Sequence, residues 1–322
     1  MEMLRQRVPL WSPSADAAAA RVHRATRGHV RVLGHGDTPA LQRLLATDPV
    51  ANVSVSTSVR ARQTAGPGRG RNSAVVMGID GAAGAGGTGG ARGTGGARGT
   101  SGLIAACWAG TNIIPVAANA EQAELFGVAV GAMRRRVASI YGEAEAAVEL
   151  YDATGWTDAR DLRPEQPLMA ITAPSAIPPL AGSRLAVPED FSRVERASAA
   201  MFAEELGFSP YAQGASQYRE RVRGLIDAGH SIIAEDPDTG EIVFKAEFGA
   251  AAPEVVQVQG VWVRPSFRGL GLAAPGMAAV VEHGLRLAPT VSLYVNSYNT
   301  AAIRTYERVG FTQVGTFATI LF

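Results

Sequence analysis

The residues best suited to chemistry lie in VVQVQGVWVRPSFRGLGLAAPGMAAVVEHGL (255–285). A β-branched run ends at Val263, and Arg264-Pro265-Ser266-Phe267 leads into Arg268-Gly269-Leu270-Gly271-Leu272-Ala273 at the start of an apolar helix. Glycines there let a ligand approach the backbone, and the free N–H groups and dipole of a helix start suit phosphate oxygens. Pro275 fits the first turn, where its missing N–H would have had no intrahelical partner. Gly269-x-Gly271-x-x-Ala274 also fits the dinucleotide fingerprint, but that motif sets its glycines directly after the strand and an acid at the end of the next. Here five residues separate Val263 from Gly269, and the next strand ends at Asn296. No Gly-Lys-Ser/Thr loop occurs, so nicotinamide and ATP readings fall behind.

The elements that must position this loop occur twice. SIYGEAEAAVELYDATGW (139–156) matches SLYVNSYNTAAIRTYERVGF (292–311) without gaps at Ala147/Ala302, Tyr151/Tyr306, Gly155/Gly310 and Trp156/Phe311, each pair 155 residues apart. Both read as a strand, an amphipathic helix closed by glycine, and an aromatic that opens the next strand. The second copy predicts strand 184–188, helices 190–206 and 214–228, and strands 231–235, 241–249 and 255–263. Helix 272–287, strand 290–296, helix 299–309 and a final strand 311–321 follow. The first copy predicts strand 29–34, helices near 38–47 and 50–60, and strands near 73–79, 102–108 and 112–116. Helix 120–134, strand 137–141, helix 143–154 and a closing strand within 158–171 complete it. We expect a disordered tail over 1–28, a first domain over 29–171, a Pro-rich linker over 172–183 (TAPSAIPPLAGS) and a second domain over 184–322. The insert at about 65–102, with GTGGAR at 87–92 and 93–98, has almost nothing to bury and is expected to be disordered.

Composition narrows the function. The chain has 322 residues, 47% of them hydrophobic, and 30 basic residues against 29 acidic ones. That balance offers no broad field for nucleic acid or anionic lipid, so neither partner is expected. One cysteine, Cys107, allows no intrachain disulfide and no Cys-based zinc site, and reads as a buried small side chain. No metal-ligand cluster, membrane span or apolar signal core is present, which points to the cytoplasm. Only Lys245 is lysine; the arginine excess reads as coding bias and carries no binding inference. Arg134-Arg135-Arg136 reads as a solvated helix end.

The strand, the Arg-Gly-x-Gly-x-Ala turn with its helix, and Asn296-x-x-Asn299-x-x-Ala302-x-x-x-Tyr306-x-x-x-Gly310-Phe311 resemble the GCN5-related N-acetyltransferases (GNAT) over 184–322. The whole chain is similar to actinobacterial tandem-GNAT proteins with an uncharacterised N-terminal domain, on the segments DPVAN, VFKAE, VQGVWV, GLAAPGMAAVVEHGL, SLYVN and GTFAT. The resemblance implies an α/β (α+β) fold in each half, a mixed central sheet flanked by helices. It implies transfer of an acyl group from acetyl-CoA to an amine acceptor, with acetyl-CoA as co-substrate and no metal. Backbone amides of Arg268, Gly269, Leu270, Gly271, Leu272 and Ala273 would cradle its pyrophosphate. The edge at Val261 and Val263 would pair with the pantetheine amides and polarise the thioester carbonyl. Asn299 would fasten the cofactor arm, and Tyr306 would protonate the departing thiolate. Tyr306 equally suits packing of its helix on the sheet. The family usually has Gln or Arg three positions before the first glycine, where this chain has Ser266.

An attacking amine must lose a proton, to a base or an ordered water relay. On strand 241–249, Ile242, Phe244, Ala246 and Phe248 share one face, and Val243, Lys245 and Glu247 the other. Glu247 is the first candidate base, with Glu254 and His230 behind it. Glu247 equally suits an ion pair with Lys245 or an arginine. His283 reads as a surface histidine. The first copy has IIPVAAN (113–119) in place of the glycine loop and reads as a degenerate domain completing the cleft or shielding the sheet. A small-molecule acceptor suits a cleft covered by a second domain. The alternative is a non-catalytic acyl-CoA sensor or scaffold in which Tyr306 only packs.

Overall fold

A computed structural model describes residues 15–68, 74–81, 102–133, 135 and 137–322. The GTGGAR repeats, Arg134 and Arg136 lie outside the described residues. The chain divides into two units, one running to Glu165 and including Phe317–Phe322, the other Gln166–Thr316. The first opens with α1 (Ala15–Ala25), β1 (Arg31–Val32), α2 (Thr38–Leu45) and α3 (Val53–Arg62). It continues through β2 (Val75–Asp80), β3 (Leu103–Ala109), β4 (Asn112–Val116), α4 (Ala120–Met133), β5 (Ser139–Glu143) and α5 (Ala144–Thr154). Strand β6 (Asp161–Ile171) leads into the second unit, with β7 (Arg184–Leu185), α6 (Phe191–Leu206), α7 (Ala215–Asp227) and β8 (Ser231–Glu235). There follow β9 (Ile242–Ala251), β10 (Val255–Val263), α8 (Ala273–Leu285), β11 (Thr290–Tyr294), α9 (Thr300–Val309) and β12 (Thr312–Leu321). No described helix is long and apolar enough to cross a membrane.

The two units repeat one ladder. In the first, β1, β2, β3 and β4 pair antiparallel in sequence order and β4 pairs parallel with β5. In the second, β7, β8, β9 and β10 do the same and β10 pairs parallel with β11. An ion-pair motif repeats with them. Arg31 on β1 grips Asp37 at 2.9 Å and Asp80 at 2.6 Å, and Asp37 accepts the Gly34 amide. Arg184 on β7 grips Asp190 at 2.5 Å and also Glu235, and Asp190 accepts the Val187 amide. Each aspartate closes a short 3-10 turn and ties it to the first two strands, in the same order along the chain.

The closing strands are exchanged, contrary to the expected boundaries. Leu168–Ile171 of β6 pairs antiparallel with β11, and Phe317–Leu321 of β12 pairs antiparallel with β5. Met169 and Ile171 are therefore buried in the second unit's core, Ala318 and Ile320 in the first's. Both strands carry a similar mostly apolar run buried on consecutive residues, Leu168–Ile171 and Phe317–Ile320, so nothing local selects the partner edge.

Three further expectations are corrected. The tail expected over 1–28 contains α1, whose Ala17–Ala20 run favours helix and whose Ala18 and Val22 are buried. The insert expected over 65–102 contains a buried Ala65 and all of β2, because Val75, Val76 and Met77 supply an apolar strand. The linker over 172–183 is docked: Ile177 and Leu180 pack on the second core, and the Leu180 amide donates to the Pro275 carbonyl at 2.9 Å.

The hydrogen bond from Arg184, with that from the Val187 amide, outweighs desolvation and holds Asp190 well below the usual carboxylate range. Its stabilisation is complete above about pH 4 and is lost as pH falls further. Asp190→Asn should lower stability by about 1–3 kcal/mol at neutral pH. In urea unfolding its gap from wild type should narrow at pH 3; a pH-independent gap would contradict the ion-pair account.

Candidate active site

Gly269 and Gly271 adopt φ of +76° and +79°, and a Cβ on either would meet no atom within 4 Å. Backbone conformation, rather than crowding, demands glycine there. Helix α8 has no side-chain cap at Leu272. The amides from Gly269 to Ala273 donate to no described residue, whereas the Arg268 amide, expected in the same cradle, is taken by the Pro265 carbonyl at 3.2 Å. The Arg268 side chain stitches the loop to its surroundings, donating to the Val263 carbonyl at 3.0 Å and to Glu204 on α6 at 2.6 Å. Helix α4, at the same place in the first unit, is closed: Asn119 and Gln122 accept each other's amides at 2.9 and 3.0 Å in a reciprocal capping box.

Strands β10 and β11 pair only through Val255–Gln257 and Thr290–Ser292. Beyond Gln257, β10 continues to Val263 with that edge unpaired, a template for an added extended chain. Val261 and Val263 lie on this stretch and pack, with Leu272, against the cluster that contains Tyr306. On the other edge, Gln259 pairs Glu247 and Trp262 pairs Lys245, so β10 carries one extra residue in a β-bulge. Gly260 sits there at φ +61°.

Tyr306 on α9 is buried, its ring edge-on to Phe311 at 6.0 Å, and burial pushes the phenol up to about 12, with the Glu205 charge adding to the rise. No described residue accepts its hydroxyl proton. Asn299 caps α9, its Oδ1 accepting the Ala302 amide at 3.2 Å, which leaves its amide N–H groups and one lone pair of Oδ1 for a ligand. Asn296 is engaged at both ends, accepting from Gln166 at 2.7 Å and donating to Tyr298 at 2.8 Å. The predicted strand 290–296 accordingly ends at Tyr294.

Glu247 projects from β9 into a polar cluster of its own. Its Oε1 accepts from Arg221 Nη2 on α7 at 2.9 Å and from Gln259 Nε2 at 3.0 Å, and Oε2 accepts from Lys245 Nζ at 3.2 Å. Burial alone would push the carboxyl up, but the charges of Lys245 and Arg221 and the hydrogen bonds from Lys245 and Gln259 hold it below the ordinary value. Of the two readings of Glu247 from the sequence, the ion-pair partner is the one seen here. Glu254 is exposed and outside the cluster, His230 lies edge-on to Phe248, and His283 sits beside Arg286. Sequence reasoning missed Arg221, which has no motif around it, but named Lys245 as an ion-pair partner of Glu247, and that pair stands in the structure. Phe244, Ala246 and Phe248 join the core under α8 as the alternation predicts; Ile242 instead packs with Trp262, next to a register shift against β8. Cys107 is buried, and desolvation pushes its thiol up.

Residues 197–311 match the family model described as the acetyltransferase (GNAT) family. Over that stretch the chain is similar to the GNAT family. Residues 95–194 match a domain of unknown function, DUF4081. Mycothiol acetyltransferase of Cellulomonas flavigena is 31% identical over 185 residues, 53% of this chain and 52% of that protein, so the chain spans about half the length of that relative. A GCN5-related N-acetyltransferase from Sphaerobacter thermophilus superposes with a TM-score of 0.54 at 19% identity, covering 90% of this chain and 94% of that one. A tandem GNAT protein from the clavulanic acid biosynthesis pathway superposes with a TM-score of 0.51 at 15% identity, covering 90% and 97%. The fold is that of tandem GNAT proteins.

Acetyl-CoA at a hundred times its Kd should stabilise the protein by about 2.7 kcal/mol, a thermal shift of a few degrees. Gly271→Val forces a branched residue to φ +79°, at a cost of about 1–2 kcal/mol, and should abolish that shift. A shift that survives in Gly271→Val would move the cofactor off this loop.

Proposed function

We propose that the second unit transfers an acetyl group from acetyl-CoA to the amine of a small molecule, by direct attack with both substrates bound. The observation that carries this is the meeting of an uncapped, glycine-led helix α8 with the unpaired edge of β10. One offers free amides to phosphate oxygens and the other offers ladder positions to an amide-bearing arm. The GNAT match over 197–311 supports the transfer, and the relative named mycothiol acetyltransferase supports a small acceptor.

Acetyl-CoA supplies the activated thioester. The amides of Gly269 to Ala273 would hold its pyrophosphate, the β10 edge at Val261 and Val263 its arm, and the Val261 N–H would polarise the carbonyl. A phenol near 12 stands roughly three to four units above an ordinary thiol near 8.5. Complete proton transfer from Tyr306 to the leaving sulfur is therefore uphill, and Tyr306 serves by donating a hydrogen bond to it. Glu247 stays ionised at neutral pH, attracts the acceptor's ammonium and would take the proton that the nitrogen sheds as it attacks, while the departing thiolate, hydrogen-bonded by Tyr306, takes up a proton from solvent. Arg221, with 49% of its side chain exposed, is the donor able to leave; an ammonium taking its place on Oε1 keeps the charge of the cluster unchanged.

A second reading, an acyl-CoA sensor or scaffold without turnover, is favoured by one observation. Three donors already occupy Glu247, out of about four acceptor positions on a carboxylate. Thiol release measured with acetyl-CoA over a panel of amines separates the two: binding with no release for any amine supports the sensor. Tyr306→Phe should lower kcat roughly 10²-fold with the acetyl-CoA thermal shift intact; an unchanged kcat removes Tyr306 from the chemistry. Because Glu247 titrates below the ordinary carboxylate range, the acid limb of kcat/KM near neutrality should track the acceptor's own pKa from amine to amine. A limb fixed across acceptors would assign it to the enzyme.

A further inference from the structure

Lys245 is the only lysine among the chain's 30 basic residues and is wholly buried. Its ammonium donates to Glu247 Oε2 at 3.2 Å and to the Gly260 carbonyl at 3.2 Å, with Met201 Sδ at 3.8 Å. We propose that Lys245 is a positioning residue that fixes both the Glu247 carboxylate and the direction of the Val261 N–H. This deepens the acetyltransfer reading and rests on it for its catalytic meaning.

The second half follows from peptide geometry. In the trans peptide joining Gly260 to Val261, C=O and N–H lie in one plane and point in opposite directions. Holding the oxygen therefore aims the N–H. That oxygen is within reach of a side chain because the bulge takes Gly260 out of the register between Gln259↔Glu247 and Trp262↔Lys245. Glycine suits this position: at φ +61° any other residue is strained, and a Cβ would stand 3.2 Å from Glu247 Cδ and Cγ and from Lys245 Nζ.

The first half follows from charge. Glu247 faces Lys245 on its own strand, Arg221 and Tyr218 on α7, and Gln259 on β10. Arg221 is half exposed, so its hold is screened and reversible. Lys245 has no exposed surface, so its hold persists when Arg221 leaves. A compact ammonium with three donors can serve a carboxylate and a carbonyl from one buried point; the planar, bulkier guanidinium cannot replace it there without displacing its neighbours.

Lys245→Met is the test, beside Lys245→Met/Glu247→Gln and Glu247→Gln. An amine acceptor whose ammonium titrates well below neutrality keeps the acceptor's own limb out of view. Lys245→Met should move the acid limb of kcat upward by roughly one unit or more, since removing an opposite charge at this distance releases a carboxyl by that much. It should lower kcat at the plateau, with the acetyl-CoA thermal shift retained. A merely structural lysine would lower the melting temperature and leave the limb in place, which overturns the proposal, as does loss of acetyl-CoA binding. Stability alone tests the charge half even if no amine turns over. Lys245→Met should melt below the double variant, because an unpartnered buried carboxylate is worse than a neutral pair; additive effects of the two substitutions overturn it. Failure of wild type to bind acetyl-CoA or release thiol would sink the acetyltransfer reading while the melting comparison still decides the ion pair.

Discussion

A parallel ladder that stops after three residues sets the terms for the second unit. Backbone donors and acceptors need partners, and the edge of β10 from Val258 to Val263 has none within its sheet. The parting is stable because each strand is held from its outer side. β9 lies along β10, while β6 pairs with β11 from Val291 to Tyr294, and Gln166 ties down Asn296 just beyond. Helix α8 covers one face at close range, since a Cβ on Gly276 would fall 2.5 Å from the Phe244 ring and one on Gly284 2.6 Å from Val291. Its N-terminus is thereby delivered, uncapped, to the open edge.

The bulge in β10 then does something a regular strand cannot. A carbonyl in register is available to its neighbour strand, whereas one expelled from register can accept from a side chain. Burying an ammonium beside it is tolerable only because that carbonyl and a carboxylate share it. The Glu247 carboxylate is in turn kept from rotating by Gln259, whose side chain lies over Gly249 so closely that a Cβ there would be 2.0 Å away. Glycines at 249 and 260 thus belong to the polar cluster as much as the charged residues do.

Much of this was legible in the sequence, and the limits have physical causes. The glycine loop, the helix that follows it and the 155-residue repeat depend on local signals such as left-handed glycines and helix periodicity, and all stand in the structure. Glu247 was reachable through strand alternation, which holds from Phe244 to Phe248. The exchange of β6 and β12 was not, because partner choice between two similar apolar strands depends on distant edges rather than on either strand. Arg221 escaped for a related reason: α7 approaches β9 only in the fold, and an arginine on an amphipathic helix carries no mark of its partner. The docked segment around Leu180 read as a linker because proline composition speaks to stiffness and not to what a few apolar side chains find to pack on.

The duplication explains why two similar frameworks end in different chemistry. The first unit keeps the short parallel ladder, with only Asn112–Ser139 and Ile113–Ile140 paired between β4 and β5, so a parted edge alone does not make a site. What differs is the path from strand to helix. Pro115 removes an amide from β4, Ala117 takes a left-handed conformation without being glycine, and Asn119 with Gln122 closes the end of α4. A helix terminus with part of its donors engaged in a cap has fewer left for an anion. Tyr151, the counterpart of Tyr306, packs its ring against Phe322 at 6.0 Å. A few residues at one helix start therefore separate a framework that could hold a phosphate-bearing arm from one whose helix start is capped and lacks the glycines, while the ladder and its Arg–Asp motif are the same in both.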